Sequence, residues 1–214
     1  MILAFDTSSA ACTAALFDDG RCVARGDEVI GRGHAERLVP MLAELLDGRR
    51  PQQILVGIGP GSFTGIRVAI AAAHGLAIGW DCEIAGMSSL ALLAAGAEGE
   101  VGVAVSGGHG ELFVQQFDAA LNPLTELRNA APVDAARMIT ALLVIGSGAV
   151  ALVSARGTGE AREALPAAAD ALRLPDALRS LPPKPIYARA PDARAPDARA
   201  PDARAPDSCA QAAA

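Results

Sequence analysis

The chain has little of what marks several common protein classes. Basic residues are outnumbered, 18 Lys and Arg against 24 Asp and Glu, for a net charge of −6 and a pI near 5.0. That sign excludes an unaided grip on a phosphate backbone and leaves nucleic acid within reach only through a basic partner or a local patch. Cysteine is sparse, and Cys12, Cys22, Cys82 and Cys209 form neither a CxxC pair nor a zinc spacing with histidine. They read as small apolar residues of a reducing compartment, which makes a cytoplasmic protein the expectation. His34, His74 and His109 make no HxxxH or HExxH, so no catalytic metal set is expected. The start, MILAFDTSS, lacks a basic segment and places Asp6 inside the first apolar run, so it reads as structure rather than as a secretory signal. The longest charge-free stretch, 138–155, is interrupted by Gly146-Ser147-Gly148 and rich in alanine, which predicts a buried strand followed by a helix and no membrane span.

What is there is a globular composition. Hydrophobic residues make up 51% of the 214, but 48 residues are alanine. Core-building apolar residues are then roughly 29% of the chain, enough for one or two ordinary domains. Residues 2–5 and 13–17 read as two apolar strands, and the small polar turn between them predicts a hairpin. Asp18-Asp19-Gly20 turns the chain into a third strand over 22–30, completing an antiparallel meander. Over 32–47, Leu38, Met41, Leu42, Leu45 and Leu46 recur at helical spacing before Gly48, with Glu36, Arg37 and Glu44 opposite, which predicts an amphipathic helix. A buried-type strand over 54–58, an alanine-rich helix over 64–79 and a short helix over 88–95 close a first unit. A second unit repeats the grammar, with strands at 101–105, 111–117 and 142–145 and helices at 133–141 and 160–171. The expectation is an α/β protein of two similar lobes with mixed sheets, 1–98 and 99–187. Residues 188–214 form a low-complexity tail in which Ala-Pro-Asp-Ala-Arg occurs three times in tandem over 190–204, and disorder is expected there.

Four segments carry candidate chemistry. Asp6-Thr7-Ser8-Ser9 closes the first strand, where a carboxylate and hydroxyls could hold a metal-phosphate or cap a turn. Gly59-Pro60-Gly61-Ser62-Phe63-Thr64-Gly65 joins a strand to a helix. Its backbone N–H groups at the positive helix end could cradle an anion, and its glycines equally suit a tight packing turn. It is no Walker loop, since no Gly-Lys-Ser/Thr follows, and Thr64 breaks GxGxxG. Arg67, one turn into that helix, could meet a phosphate or carboxylate or make a surface ion pair. Ser106-Gly107-Gly108-His109-Gly110 does not spell GxSxG and reads as a wide hairpin.

These residues resemble a known family, the bacterial TsaB (YeaZ) proteins of tRNA threonylcarbamoyladenosine synthesis. The resemblance runs through ILAFDTSSAACTAALF, GHAERLVPMLAELL, GPGSFTGIRVAIAAAHGLA and PIYARAPDAR. It implies two ribonuclease-H-like lobes of the actin/Hsp70 type (the ASKHA fold) with mixed sheets. It also implies a relative of TsaD, the subunit that transfers the threonylcarbamoyl group to the adenosine next to the anticodon. In TsaD-like chains the segment after the GPG helix and its following strand carries two histidines, four residues apart, that hold the catalytic metal. Here those positions fall at about Ser89 and Leu93, and leucine cannot ligate a metal. The resemblance therefore implies a noncatalytic subunit that pairs with TsaD, with the ATPase TsaE joining, and that meets tRNA only through the complex. It implies no tightly bound cofactor, and leaves open a nucleotide at the subunit junction.

The implied contact surface has a rationale in two neighbouring helices, one leucine-rich and one lined by Ala69, Ala71, Ala72 and Ala73, which could form a four-helix contact with a related partner, or a homodimer in its absence. The interface candidates are His34, Arg37, Leu38, Met41, Arg67, Ala71 and His74; Asp6, Thr7, Ser8, Gly59, Gly61, Ser62, Thr64 and Gly65 are the nucleotide or anion candidates, and no catalytic residue is expected. Two enzymatic alternatives stand beside this reading: an ATP-binding kinase or ATPase of the same fold, and a glycoprotease-like metallopeptidase. The chain departs from the family at Ser106 to Gly110, which is similar to the SGGH turn of TsaD-like chains, and in the extra tail repeats.

Overall fold

A computed structural model of the protein describes residues 1–188, so the tail repeats and Cys209 lie outside the described residues. Two five-stranded mixed sheets form the frame. The first is built from β1 (Ile2–Asp6), β2 (Ala11–Asp18), β3 (Arg21–Val29), β4 (Gln53–Gly57) and β5 (Glu83–Met87) in the order β3-β2-β1-β4-β5. β1, β2 and β3 run antiparallel, while β4 and β5 continue parallel to β1. The second is built from β6 (Val101–Gly108), β7 (Glu111–Phe117), β8 (Arg128–Ala130), β9 (Leu143–Ile145) and β10 (Glu160–Arg162), in the order β10-β9-β6-β7-β8 with the same directions. The lobes thus share one ribonuclease-H-like topology, as expected.

The apolar strands are apolar because both faces are covered. Leu3, Phe5, Ile54 and Val56 face α1 (His34–Leu46) and α2 (Phe63–Trp80), burying Leu38, Met41, Leu42, Leu45 and Leu46 from α1 with Ile66, Ala69, Ile70 and Ala73 from α2. Ala4, Ala15, Phe17 and Leu55 point the other way, into a central cluster shared with Val101, Val103, Phe117 and Ile145 of the second sheet. The short α3 (Ser89–Ala94) fills that centre, and all six of its residues are buried. On the far side α4 (Pro132–Met138) and α5 (Ala149–Arg156) cover the second sheet. Helices, sheet, buried middle, sheet and helices form the stack.

Three expectations change. Residues 160–171 are not one helix: Gly157 and Gly159 take positive φ and end α5, β10 extends the sheet, and only Ala168–Arg173 coils, as a 3-10 turn. Pro166 lies between strand and turn, where it forbids a continuous helix. The turn at Ser106 to Gly110 is narrow, since β6 extends through Gly108 with a bulge after Ser106, and His109-Gly110, both at positive φ, form the two-residue connection to Glu111. Finally, the chain beyond the 3-10 turn returns to the first lobe. Leu181 bridges Gly86, and the Ile186 N–H donates to the Ile58 carbonyl at 2.9 Å, so 99–187 is shared between the two lobes. α6 (Asp176–Arg179) lies in that returning segment.

Candidate functional site

At the end of β1 the carboxyl of Asp6 is fully buried and its oxygens are engaged inside the chain. Oδ1 accepts from the backbone N–H and the hydroxyl of Ser8, each at 2.7 Å, and Oδ2 accepts from the Ser89 hydroxyl at 2.5 Å. Ser89 Oγ accepts in turn from the Gly59 N–H at 3.0 Å. The Thr7 hydroxyl donates to the Gly65 carbonyl at 2.6 Å, and the Ser62 N–H donates to the Ser8 carbonyl at 2.6 Å. Ser62 is also the N-cap of α2, accepting from the Gly65 N–H at 3.3 Å. A Cβ on Gly61 would strike the Ser8 carbonyl, and one on Gly65 the Thr7 carbonyl. The DTSS and GPGSFTG segments are therefore two halves of one backbone-to-backbone joint, and its glycines are accounted for by close approach. The N–H groups of Gly59, Ser62 and Gly65 are engaged within it, while Thr64 lies exposed on the first turn of α2.

The positions matching the TsaD-like metal ligands do not fit a metal. Ser89 is bonded to Asp6 and Gly59, and Leu93 is buried in the central cluster without a donor atom. Among the described residues no group of three His, Cys, Asp or Glu side chains could hold a metal ion. Cys12 offers no nucleophile, because burial pushes its thiol up to about 11.

Beside the joint, a cavity of about 890 Å³ opens between the lobes, with the β1–β2 turn and the start of α2 on one wall and the β6–β7 hairpin with Ser147 on the other. Arg67 stands there in a stack that its sequence position did not reveal. Its guanidinium carbon lies 3.7 Å from the Phe63 ring centroid, and Nε donates to the Tyr187 hydroxyl at 3.0 Å. Among the described residues Arg67 makes no ion pair, and its partners are the Phe63 ring and the Tyr187 hydroxyl. Phe63 lies four residues before Arg67 on α2 but one residue ahead of the helix expected over 64–79, so this pairing was missed; Tyr187, brought back by the returning segment, had no local signal.

The two outer helices divide the interface candidates. Leu38 and Met41 belong to the core of the first lobe and present no surface, which corrects their reading as contact residues. His34 is also buried, with Nε2 unpartnered. Arg37 is half-buried and bridges Glu28 of β3 at 2.6 Å and Glu44 of its own helix at 3.1 Å. Arg67, Ala71 and His74 lie exposed along α2, followed by Gly75 and by Ile78, which is 84% exposed. Val39 adds an exposed apolar side chain on α1. Among the described residues α2 is the one helix long and apolar enough to cross a membrane by length and composition, yet one side of it packs on the first sheet.

The protein family described as TsaD, tRNA N6-adenosine threonylcarbamoyltransferase, matches residues 28–169 of this chain. The tRNA threonylcarbamoyladenosine biosynthesis protein TsaB of Escherichia coli is 40% identical over 101 residues, 45% of this chain and 43% of that protein. The chain thus matches less than half the length of this curated relative. An uncharacterized protein of Mycobacterium tuberculosis is 32% identical over 203 residues, covering 90% of this chain and 93% of its own length. The solved structure of YeaZ from Pseudomonas aeruginosa superposes with a TM-score of 0.73 at 29% identity, covering 87% of this chain and 98% of that one. A second Pseudomonas aeruginosa structure, of an uncharacterized protein with similarity to peptidase YEAZ, gives 0.74 at 30% identity over 88% and 99%. A joint built from DTSS and GPGSFTG, two lobes of one topology, a family match that runs from the end of β3 through the second sheet, and relatives matched over most of the chain place it in the TsaB (YeaZ) family.

Proposed function

We propose that this protein is a noncatalytic subunit of a tRNA threonylcarbamoyladenosine-forming assembly, that it pairs with a TsaD-type partner joined by the ATPase TsaE in the cytoplasm, and that it meets tRNA only through them. The observation that carries the reading is the outer side of α2. Only five of its eighteen residues are buried, and the exposed side combines small residues at Ala71 and Gly75 with apolar Ile78. Small residues let a second helix approach closely, and apolar ones reward its burial. A homodimer through the same side is the expected form when the partner is missing. The engagement of Asp6 and the loop N–H groups speaks against the kinase alternative, and the donor-poor Ser89 and Leu93 positions speak against the peptidase.

The test is a reconstituted modification assay with TsaD, TsaE, threonylcarbamoyl-adenylate and unmodified tRNA, run with and without this chain beside size-exclusion chromatography. Modification should depend on the chain, and the chain should co-elute with TsaD. Ala71→Arg, which changes only an exposed position, should weaken pairing by about 30-fold or more while leaving the fold intact by circular dichroism. If TsaD neither binds nor needs the chain, the reading fails.

A further inference from the structure

We propose that the cavity between the two lobes binds a small organic anion, one acidic group on an apolar or planar body, with Arg67 as its counter-ion and the hydroxyls of Ser9, Ser62 and Ser147 as its donors. The inference stands apart from the partner reading, since it concerns the cleft and not the outer side of α2.

The chain carries 24 acidic residues and a net charge of −6, but among the described residues that line this cavity none is Asp or Glu, whereas Asp81 and Glu83 line the smaller pocket beside the start of β5. A cavity wall free of carboxylates beside an arginine is an environment that favours negative charge in a protein whose surface otherwise repels it.

Ser9 Oγ accepts from the Ala11 N–H at 3.1 Å, Ser62 Oγ from the Gly65 N–H at 3.3 Å, and Ser147 Oγ from the Ser106 N–H at 3.1 Å. Each of these oxygens is engaged as an acceptor, which leaves its O–H to donate, and among the described residues none of the three donates in a bond. Three hydroxyl donors on the wall of one cavity are matched by acceptor-rich groups, and a carboxylate or phosphate is the most acceptor-rich group a small molecule offers. Arg67 adds its terminal guanidinium nitrogens. Nε is held by Tyr187 and the plane lies over Phe63, so the fork is oriented before any ligand arrives.

The rest of the wall sets the ligand's shape. Phe113, Val105, Leu165 and Ile186 supply an apolar part of the wall, and about 890 Å³ lies within the range of small-molecule sites. A nucleoside triphosphate with its metal would require a carboxylate for the cation and a run of unengaged loop N–H groups. Asp6 is sealed by Ser8 and Ser89, and the N–H groups of Gly59, Ser62 and Gly65 are taken. One acidic group is what the site can neutralise. Because Ser9, Ser62 and Arg67 belong to the first lobe and Ser147 to the second, the bound anion would tie the two lobes together.

Calorimetric titration and thermal-shift measurement on the full chain test this with two matched pairs, AMP against adenosine and 3-phenylpropionate against 3-phenylpropionamide, and with ATP plus Mg²⁺. The expected result is that one anion binds with a sub-millimolar Kd and raises Tm while its neutral counterpart binds at least about tenfold more weakly. AMP as the tighter anion would identify a phosphate ligand, and 3-phenylpropionate a carboxylate. Arg67→Gln and Ser147→Ala, on opposite walls, should each weaken that anion, by about tenfold and about threefold. Neither anion outbinding its neutral partner, or Arg67→Gln leaving the affinity unchanged, overturns the proposal. ATP with Mg²⁺ binding more tightly than AMP overturns the exclusion of a metal-triphosphate.

Discussion

The two lobes are the same design at two scales. Strand order and directions coincide, and in both a glycine-bearing loop between the fourth strand and its helix bonds to the backbone of the first strand or of the turn that follows it. In the first lobe the Ser62 N–H donates to the Ser8 carbonyl at 2.6 Å, and in the second the Gly148 N–H donates to the Ala104 carbonyl at 2.9 Å. The second loop, Gly146-Ser147-Gly148, resembles no phosphate loop, yet it makes the same joint. The glycine pattern of GPGSFTG is therefore architectural in origin, a requirement of bringing a loop backbone onto a strand end. What differs is what each joint carries. The first holds the Asp6–Ser8–Ser89 network, and its helices of 13 and 18 residues overhang their sheet, whereas helices of 7 and 8 residues only just cover the second. Extra helix length beyond what the sheet needs leaves helix surface exposed, as at Ala71, Gly75 and Ile78.

Backbone crowds backbone in both joints, since a Cβ on Gly146 would strike the Ala104 carbonyl, but Gly65 and Gly148 are unlike positions, and one added methyl group should separate them. Gly65→Ala drives a Cβ into the Thr7 backbone carbonyl, which cannot move without displacing β1 and its turn. A loss of about 3 kcal/mol or more and a Tm fall of roughly 10 °C are expected by thermal denaturation. Gly148→Ala meets mainly the Leu112 side-chain methyl at 2.6 Å, which can rotate aside, so about 1–2 kcal/mol is expected. Equal losses would mean that Leu112 cannot turn aside and that the Gly148 position is as rigid as the Gly65 one.

A smaller effect isolates the polar network. Ser89→Ala leaves Asp6 Oδ2 and the Gly59 N–H without their partner inside the protein, a cost of about 2–3 kcal/mol. Ser147→Ala removes an exposed hydroxyl that accepts a single N–H in the second lobe, and chemical denaturation should detect no more than about 0.5 kcal/mol. This contrast also shows where sequence reasoning stops. β1 and β2 were legible as short apolar runs and α2 as a long alanine-rich stretch, while helical spacing revealed α1 and placed the Leu38 stripe on one face. β5, EIAGM, has no such pattern, and β8 and β10, at three residues each, exist only because a neighbouring strand pairs with them. The alanines over 160–171 carry helix propensity, but Pro166 and the pairing of Glu160–Arg162 with β9 outweigh it. At the site, DTSS and GPGSFTG were visible as segments, while their mutual bonding and the Arg67–Tyr187 contact, which spans 120 positions, depend on the assembled fold.

The smallest expected effect concerns how each lobe fastens its outer helix. Arg37 reaches from α1 to Glu28 on β3, pinning helix to sheet, whereas Arg137 of α4 pairs with Asp134 three residues earlier on the same helix and pins nothing. The bonds from Arg37 hold the Glu28 carboxyl below the usual carboxylate range. A carboxyl whose folded pKa is depressed contributes stability above its unfolded pKa, about 4.3 for glutamate, and loses it as pH falls through the folded value. Wild type should therefore melt slightly above Glu28→Gln from pH 6 to 8. The gap should close as pH drops below about 4, where the wild-type carboxyl takes up its proton. Asp134→Asn should show no comparable gap at any pH, because the pair it breaks is exposed and local to one helix. A Glu28→Gln difference that persists unchanged at low pH would mean that Arg37 packs against β3 through its stem rather than its charge.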